Sequence, residues 1–378
     1  MKPESVIYSI ATRVGSPGLG NVSYNAIKAL HDRSLLKFAV SYSNRSDIPR
    51  NKLISLYGNP AKILFFLPRR YYSPRWMGFF DLITSRMILS RGCEVFHGWN
   101  SQALRSIKAA HKVGAKAIIE CGSTYRLHKE VIIENEYRRS GIKMEKGPAY
   151  ARERLLNEID LADYVFLTSE FAKKTFIKSG INEKKLFVIE RGADLSRFSP
   201  GNPDRDVFRV LFVGRISLRK GIRYLLEAWK SLKLKNAELV MTGGIDDTVK
   251  PLIAQYAGDE TIKFTGFIKD TSVEYKKAHI FVFPSIEEGS AKVTFEAMAS
   301  GLPVITTENS GSVVRDSVDG FIIPVSDAEA IKEKILYFYE NPEKVRSMGD
   351  NASENARPYT WDRYRNKLIS TYEKLFRQ

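Results

Sequence analysis

The stretch that most constrains this chain is residues 280–306, which read as strand, loop, helix, turn and strand. Ile280–Phe283 is an apolar run too short for a lone helix, and it stops at Pro284, which has no N–H with which to extend a ladder. A loop with Gly289 follows, then a run of good helix formers closed by Gly301, then an apolar strand from Val304. This is a βαβ unit, and it requires a parallel sheet. Such units bind ligands at the carboxyl ends of their strands, where loop and helix amino terminus present free N–H groups and positive dipole charge. A phosphate is the expected guest. Glu288 and Glu296 bracket the loop, and carboxylates beside a phosphate repel it unless they accept hydrogen bonds from another group. Sugar hydroxyls are the natural donors. Two acids at this spacing alone would describe a surface pair on an ordinary helix; the strand before them and the Gly-Leu-Pro-Val turn after them make the pair a candidate site.

A chain of 378 residues is too long for one ordinary core and suits two domains. Ser199–Asp204, rich in turn residues and without apolar ones, is the best linker, giving domains 1–200 and 201–358 followed by a terminal helix over about 359–378. The first residues lead directly into a strand at Val6–Ile10 without the apolar length of a signal peptide, and no run approaches the roughly 20 apolar residues that span a bilayer. Cys93 and Cys121 are too few for a disulfide framework or a zinc site, so a reducing cytoplasm is the expected location. The net charge of +16 is uneven: residues 1–200 hold 33 basic against 18 acidic side chains, residues 201–378 hold 26 against 25. An anionic partner for the first half is implied, whether membrane phospholipid, lipid-linked phosphate or nucleic acid.

Strand-like runs recur at Lys37–Tyr42, Ile63–Phe66, Val95–His97, Ala117–Cys121, Tyr164–Thr168 and Leu186–Ile189, separated by helical patterns. This alternation predicts a doubly wound α/β sheet. The glycine-rich loop Gly15–Asn21 joins the first strand to a helix with Val22, Ala26, Ile27 and Leu30 on its apolar face. It is either a tight turn without a ligand or a place where Gly18 and Gly20 let the backbone approach one. Residues 67–91 interleave aromatics with Arg69, Arg70, Arg75, Arg86 and Arg91, a pattern suited either to a membrane headgroup interface or to a core helix with arginines reaching water. The charged run from Arg126 to Lys146 is an acceptor groove or a solvated helix face. In the second half, Phe208–Val213 is a strand, and Arg215 and Lys220 sit in the loop at its carboxyl end, on the sheet edge already assigned to the phosphate. Two cations there would neutralise a departing diphosphate.

The acid pair, with seven residues between, followed by Ala-Met-Ala-x-Gly-x-Pro-Val, resembles the signature of the retaining glycosyltransferases of the two-domain GT-B fold, family 4 (glycosyl transferases group 1). The resemblance covers nearly the whole chain, most strongly from Phe208 to Pro324. It implies an α/β protein with two Rossmann-like doubly wound domains facing across a cleft, and a final helix, carrying Trp361, Tyr364, Leu368, Tyr372 and Leu375, that crosses back to the first domain. Arg215, Lys220 and Glu288 would be catalytic, the cations on the diphosphate and Glu288 on the donor sugar. Gly214, Gly266, Phe267, Ile268, Ser290, Ala291, Lys292, Val293 and Glu296 would form the donor nucleotide site. There Glu296 would hold the ribose, backbone near Phe267 the base, and the amides of Ala291–Val293 the diphosphate. Gly18, Gly20 and His97 would face acceptor or sugar, with the His97 ring at the ligand-bearing sheet edge. Glu120 or Cys121 occupies the place of a second family histidine, and Glu190-Arg191-Gly192-Ala193-Asp194 stands where the family has an Asn-Gly-Val-Asp turn.

The resulting expectation is a metal-independent, cofactor-free enzyme that moves a sugar from a nucleotide-diphosphate sugar to a saccharide or lipid-linked acceptor in polysaccharide or glycolipid synthesis. It would be cytoplasmic, with an anionic membrane surface as a candidate partner of the basic first domain and no nucleic acid expected. The alternatives are a nucleotide-sugar 2-epimerase of similar architecture, a basic nucleic-acid-binding protein, and a sugar-binding module without turnover.

Overall fold

The computed structural model describes residues 5–56, 69–204 and 206–376. The first half runs β1 (Val6–Val14), α1 (Leu19–Asp32), β2 (Leu36–Asn44), β3 (Leu53–Ser55), α2 (Arg69–Arg91), β4 (Val95–Trp99), α3 (Leu104–Lys112), β5 (Lys116–Cys121), α4 (Arg126–Arg139), α5 (Ala149–Leu161), β6 (Tyr164–Leu167), α6 (Glu170–Lys178) and β7 (Leu186–Val188). The second half begins β8 (Phe208–Val213), α7 (Ile222–Leu232), β9 (Ala237–Thr242), α8 (Lys250–Ala254), β10 (Ile262–Gly266) and α9 (Ser272–Lys277). It continues with β11 (Ile280–Phe283), α10 (Lys292–Ala299), β12 (Val304–Thr307), β13 (Gly320–Ile323), α11 (Ala328–Glu340), α12 (Pro342–Ala356) and α13 (Trp361–Phe376).

The strands form two separate sheets, ordered β3-β2-β1-β4-β5-β6-β7 and β10-β9-β8-β11-β12-β13, and the pairings in both are parallel. Each sheet therefore winds outward in both directions from a switch point, β1/β4 in one and β8/β11 in the other. The crevice at a switch point is where such sheets hold ligands. This is the α/β, doubly wound, two-domain architecture that the sequence predicts. The expected strand at Ile63–Phe66 lies outside the described residues, and the short β3 gave too few residues for an alternation to be read.

Both faces of the first sheet are covered, as a parallel sheet requires. Successive side chains of a strand point to opposite faces. Tyr8 and Ile10 therefore pack with Ala26, Ile27 and Leu30 of α1 and with Leu368 and Tyr372 of α13. Ile7 instead packs with Phe96, Phe80 of α2 and Ile107 of α3. The chain's last helix thus completes the core of its first sheet, where Arg365 also donates to Asn25 at 2.5 Å. The second sheet has its own core, built from β8, β11, α7 and α10 through α12.

The interleaved segment divides along α2. Phe80 is buried and meets Tyr42 edge-on, and Trp76 also lies against Tyr42, whereas Phe79 is 47% exposed. The side chains of Arg69 and Arg70 lie outside the described residues. Among the described residues no helix is long and apolar enough to cross a membrane.

Candidate active site

At the second sheet's switch point, the loops after β8 and β11 are joined backbone to backbone. Ile286 N–H donates to Arg219 C=O at 2.9 Å, and the Ser285 hydroxyl reaches the same carbonyl at 3.2 Å. Gly221, at φ 70°, is the hinge of this contact: a Cβ there would lie 2.0 Å from the Pro284 carbonyl oxygen, so only glycine fits both the left-handed backbone and the close approach. A single turn over Leu218–Lys220, anchored by the buried Leu218, projects Arg219 and Lys220 toward the acidic loop.

Both cations pair with Glu288 Oε1. The Lys220 ammonium also lies 5.0 Å from the centre of the Phe283 ring. Burial lowers the affinity of Lys220 for its proton below the ordinary value, and the Glu288 carboxylate pulls the other way. The cationic loop and the acidic loop therefore meet, through Lys220 and through Arg219, which has no signal in the sequence pattern. Arg215 behaves differently. It points to Asp246, 3.6 Å away, with its side chain 71% exposed.

The acids flanking α10 have separate surroundings. Glu296 is buried, pairs with Lys292 one turn back at 2.7 Å and accepts from the Tyr275 hydroxyl at 3.2 Å. Of the three amides expected to meet a diphosphate, that of Ala291 donates to the Ser310 carbonyl at 3.0 Å. Those of Lys292 and Val293, the first two of the helix, are the ones its geometry leaves pointing out of the amino terminus. Ser290 lies in the loop ahead of them. At the carboxyl end of β10, Gly266 turns at φ 70° and leaves Phe267 84% exposed, with Ile268 following. Gly243, φ 144°, lets the loop after β9 come close to Gly214: a Cβ on Gly243 would lie 2.0 Å from the Gly214 carbonyl oxygen.

Across from this edge, the first domain contributes a cavity of about 290 Å³ lined by Trp99, Glu120, Cys121, Gly122, Lys129 and Arg191, among others. Its wall is fixed from below by Glu158, whose carboxylate accepts from the amides of Ala103 (2.8 Å) and Leu104 (3.1 Å) and from the Asn100 side chain (3.1 Å). Burial pushes the Glu120 carboxyl up to about 7, against the pull of Arg191 and a 3.1 Å hydrogen bond from Tyr364. Burial also raises the Cys121 thiol well above its ordinary range, so it is no ready nucleophile. Both residues border the cavity.

His97 does not lie at the ligand-bearing edge predicted for it. It is fully buried among Tyr8, Phe166 and Tyr372, with Nδ1 2.6 Å from the Tyr372 hydroxyl, and burial lowers its pKa to about 3. β4 runs two residues past it to Trp99, which lines the cavity in its place. Gly18, φ 75°, precedes α1 with open space where a Cβ would point, while Gly20 is packed against the Arg13 carbonyl oxygen, 2.3 Å from where its Cβ would stand.

Among the contacts between the two edges is one made by a residue without a signal in the sequence pattern. Glu287, with no exposed side-chain surface, reaches out of the β11–α10 loop into the turn after β5. Its Oε1 accepts from the hydroxyls of Ser123 (2.8 Å) and Thr124 (2.6 Å), and its Oε2 pairs with Lys129 at 3.1 Å. Next to it, Gly289 packs so closely that a Cβ would lie 2.3 Å from the Gly122 carbonyl oxygen, and its own carbonyl accepts from Ser169 at 2.6 Å.

Residues 195–355 match the family of glycosyl transferases group 1. The match spans most of the second domain. The chain is 29% identical over 239 residues to the capsular polysaccharide biosynthesis glycosyltransferase CapM of Staphylococcus aureus, covering 56% of this chain and 62% of that one. The chain spans about half the length of several curated relatives it matches. The fold is also that of sucrose-phosphate synthase from Thermosynechococcus elongatus, with a TM-score of 0.73 at 20% identity over 98% of this chain and 99% of that one. It is shared with Anabaena HepE in complex with UDP, with a TM-score of 0.71 at 15% identity over 98% of this chain and 100% of that one.

Proposed function

We propose that this chain transfers a sugar, with retention of configuration, from a nucleotide-diphosphate sugar to a saccharide or lipid-linked acceptor in the assembly of a polysaccharide or glycolipid. The observation that carries the reading is the joining of the β8 and β11 loops, which sets Lys220 and Arg219 against Glu288 ahead of the amino terminus of α10. HepE, with the same fold, binds UDP, and CapM is named for polysaccharide biosynthesis.

In this reading the diphosphate lies between Lys220 and the amides of Lys292 and Val293, with Arg215 swinging in from its exposed position. Glu288 accepts from hydroxyls of the donor sugar, Glu296 from the ribose, and the exposed Phe267 backs the base. The bond between the anomeric carbon and the leaving phosphate oxygen breaks while the acceptor oxygen attacks from the same face, and the acceptor's proton passes to that phosphate oxygen. Neutralising the charge that develops on the diphosphate is the largest task asked of the protein, and it falls to side-chain cations. The acceptor enters from the first domain, along the cavity bordered by Glu120 and Cys121.

A panel of nucleotide sugars, with mass spectrometry of the products and NMR of the new anomeric centre, tests this. Transfer or slow hydrolysis of one donor with retention is the expected result. Release of nucleotide together with a free epimerised sugar would make the chain a 2-epimerase instead, and failure to bind any nucleotide sugar would overturn the reading.

A further inference from the structure

Arg191 follows β7 in the connection that leads toward the second domain. Its guanidinium enters the first-domain cavity over the Trp99 ring, 5.7 Å from the ring centre. Gly122 makes room for it: a Cβ there would lie 2.5 Å from Nη2. Nε and Nη2 are both shielded from water and have no hydrogen-bond partner among the described residues. The acid that attracts it most, Glu120, holds its own hydrogen bond from Tyr364, and among the described residues no ion pair at contact distance joins the two. The other cations beside the cavity are engaged, Lys129 with Glu287 and Arg126 with Glu130.

A guanidinium with two of its nitrogens taken out of water and without hydrogen-bond partners is costly to hold, and its planar fork of donors fits a carboxylate or phosphate two bonds at a time. We propose that Arg191 is a specificity-determining residue that holds an anionic group, a carboxylate or a phosphate, borne by a sugar in this cavity. The chain would thereby prefer an acidic or phosphorylated sugar to its neutral counterpart. The proposal rests on the glycosyltransferase reading for its setting, but it concerns a different domain and a different ligand group from those that hold the nucleotide.

The test uses the full chain in two arms. In the donor arm, calorimetry compares UDP-glucuronic acid with UDP-glucose. In the acceptor arm, with UDP present, it compares glucose 6-phosphate and methyl glucuronide with methyl glucoside. In one arm the anionic ligand is expected to bind at least tenfold more tightly than the neutral one, and that arm identifies which substrate carries the charge. Arg191→Gln should abolish the preference and leave the neutral ligand's affinity within twofold, while Arg191→Lys should retain part of it. Gly122→Ala approaches from the other side: it displaces the guanidinium with the arginine present and should also erase the preference, so the test survives if Arg191→Gln does not fold. No preference in either arm, or a preference untouched in both Arg191→Gln and Gly122→Ala, would overturn the proposal. Binding of bare UDP separates the two readings. UDP bound without an anion preference sinks the role of Arg191 alone, whereas an Arg191-dependent preference without UDP binding sinks the donor assignment alone.

Discussion

Glu287 offers the sharpest perturbation, because its carboxylate belongs to one domain and most of its partners, Lys129, Ser123 and Thr124, to the other. Burial by itself would raise its pKa; the Lys129 ammonium, the Thr124 hydroxyl, Arg219 and the Ser123 hydroxyl together bring it down to about 2 from an ordinary 4.5. At about 1.36 kcal/mol per pH unit, that fall corresponds to about 3 kcal/mol in favour of the ionised, docked form. The contribution is complete above pH 4.5 and is lost as the pH falls through about 2. Each sheet has its own core, so what is lost first is the docking of the halves rather than the fold of either. Glu287→Ala should therefore raise the open-to-docked ratio by about 100-fold. Glu287→Gln keeps an acceptor for Ser123 and Thr124 but leaves Lys129 without its counter-charge, and because Lys129 can turn to water the loss there is about 1–2 kcal/mol. Small-angle scattering reads the outcome as a larger radius of gyration at neutral pH, and calorimetry as the separation of one melting transition into two. Wild-type protein should approach the variant's behaviour as the pH is lowered from about 4.5 toward 2. A Glu287→Ala protein with wild-type scattering and a single wild-type transition would refute the reasoning.

Lys220→Ala should lower turnover by about 100- to 1,000-fold, the cost typical of removing one preorganised group from a developing charge, and a turnover within threefold of wild type would remove it from the reaction. Arg215→Ala should lower turnover at least tenfold while moving the melting free energy by less than about 0.5 kcal/mol, because the side chain is mostly exposed; unchanged turnover would leave Arg219 as the working partner of Lys220. Glu296→Ala should weaken bare nucleotide and nucleotide sugar alike, whereas Glu288→Ala should weaken only the nucleotide sugar; equal losses for both ligands in both variants would defeat that division. His97→Phe should cost about 1–3 kcal/mol of stability through the orphaned Tyr372 hydroxyl, yet leave turnover per folded molecule within twofold, and a larger kinetic loss would return His97 to the site.

What the sequence made legible was local pattern plus one topological rule. The loops carrying Lys220 and Glu288 are 68 residues apart, yet each follows a strand flanking the switch point, and the winding of a parallel sheet brings such loops together whatever their separation. The same rule could not choose between Arg215 and Arg219. That choice depends on the single turn over Leu218–Lys220, which aims Arg219 inward and leaves Arg215 beside Asp246. His97 was misplaced for a related reason. A strand position has two faces, and the face of His97 is closed by Tyr372 of a helix 275 residues later, a cover that nothing around His97 announces. Glu287 was beyond reach of local pattern altogether, since its partners at Ser123 and Thr124 meet it only when the two domains dock.

That docking contact bears on the chemistry because Glu287 and Glu288 are consecutive. The first is clasped by the opposite domain and the second by Lys220 and Arg219, so one peptide carries both the clasp and the acid assigned to the donor sugar. Glu288 is tied in turn to the second domain through its own N–H, which donates to Asn309 at 2.8 Å. Opening the cleft must withdraw Glu287 from Ser123 and Thr124, and the strain of that withdrawal falls on the neighbouring residue that faces the cations. Domain closure and the alignment of the acid with the diphosphate cations are then one mechanical event, and a variant that loosens the clasp should impair handling of the sugar before it impairs binding of the nucleotide.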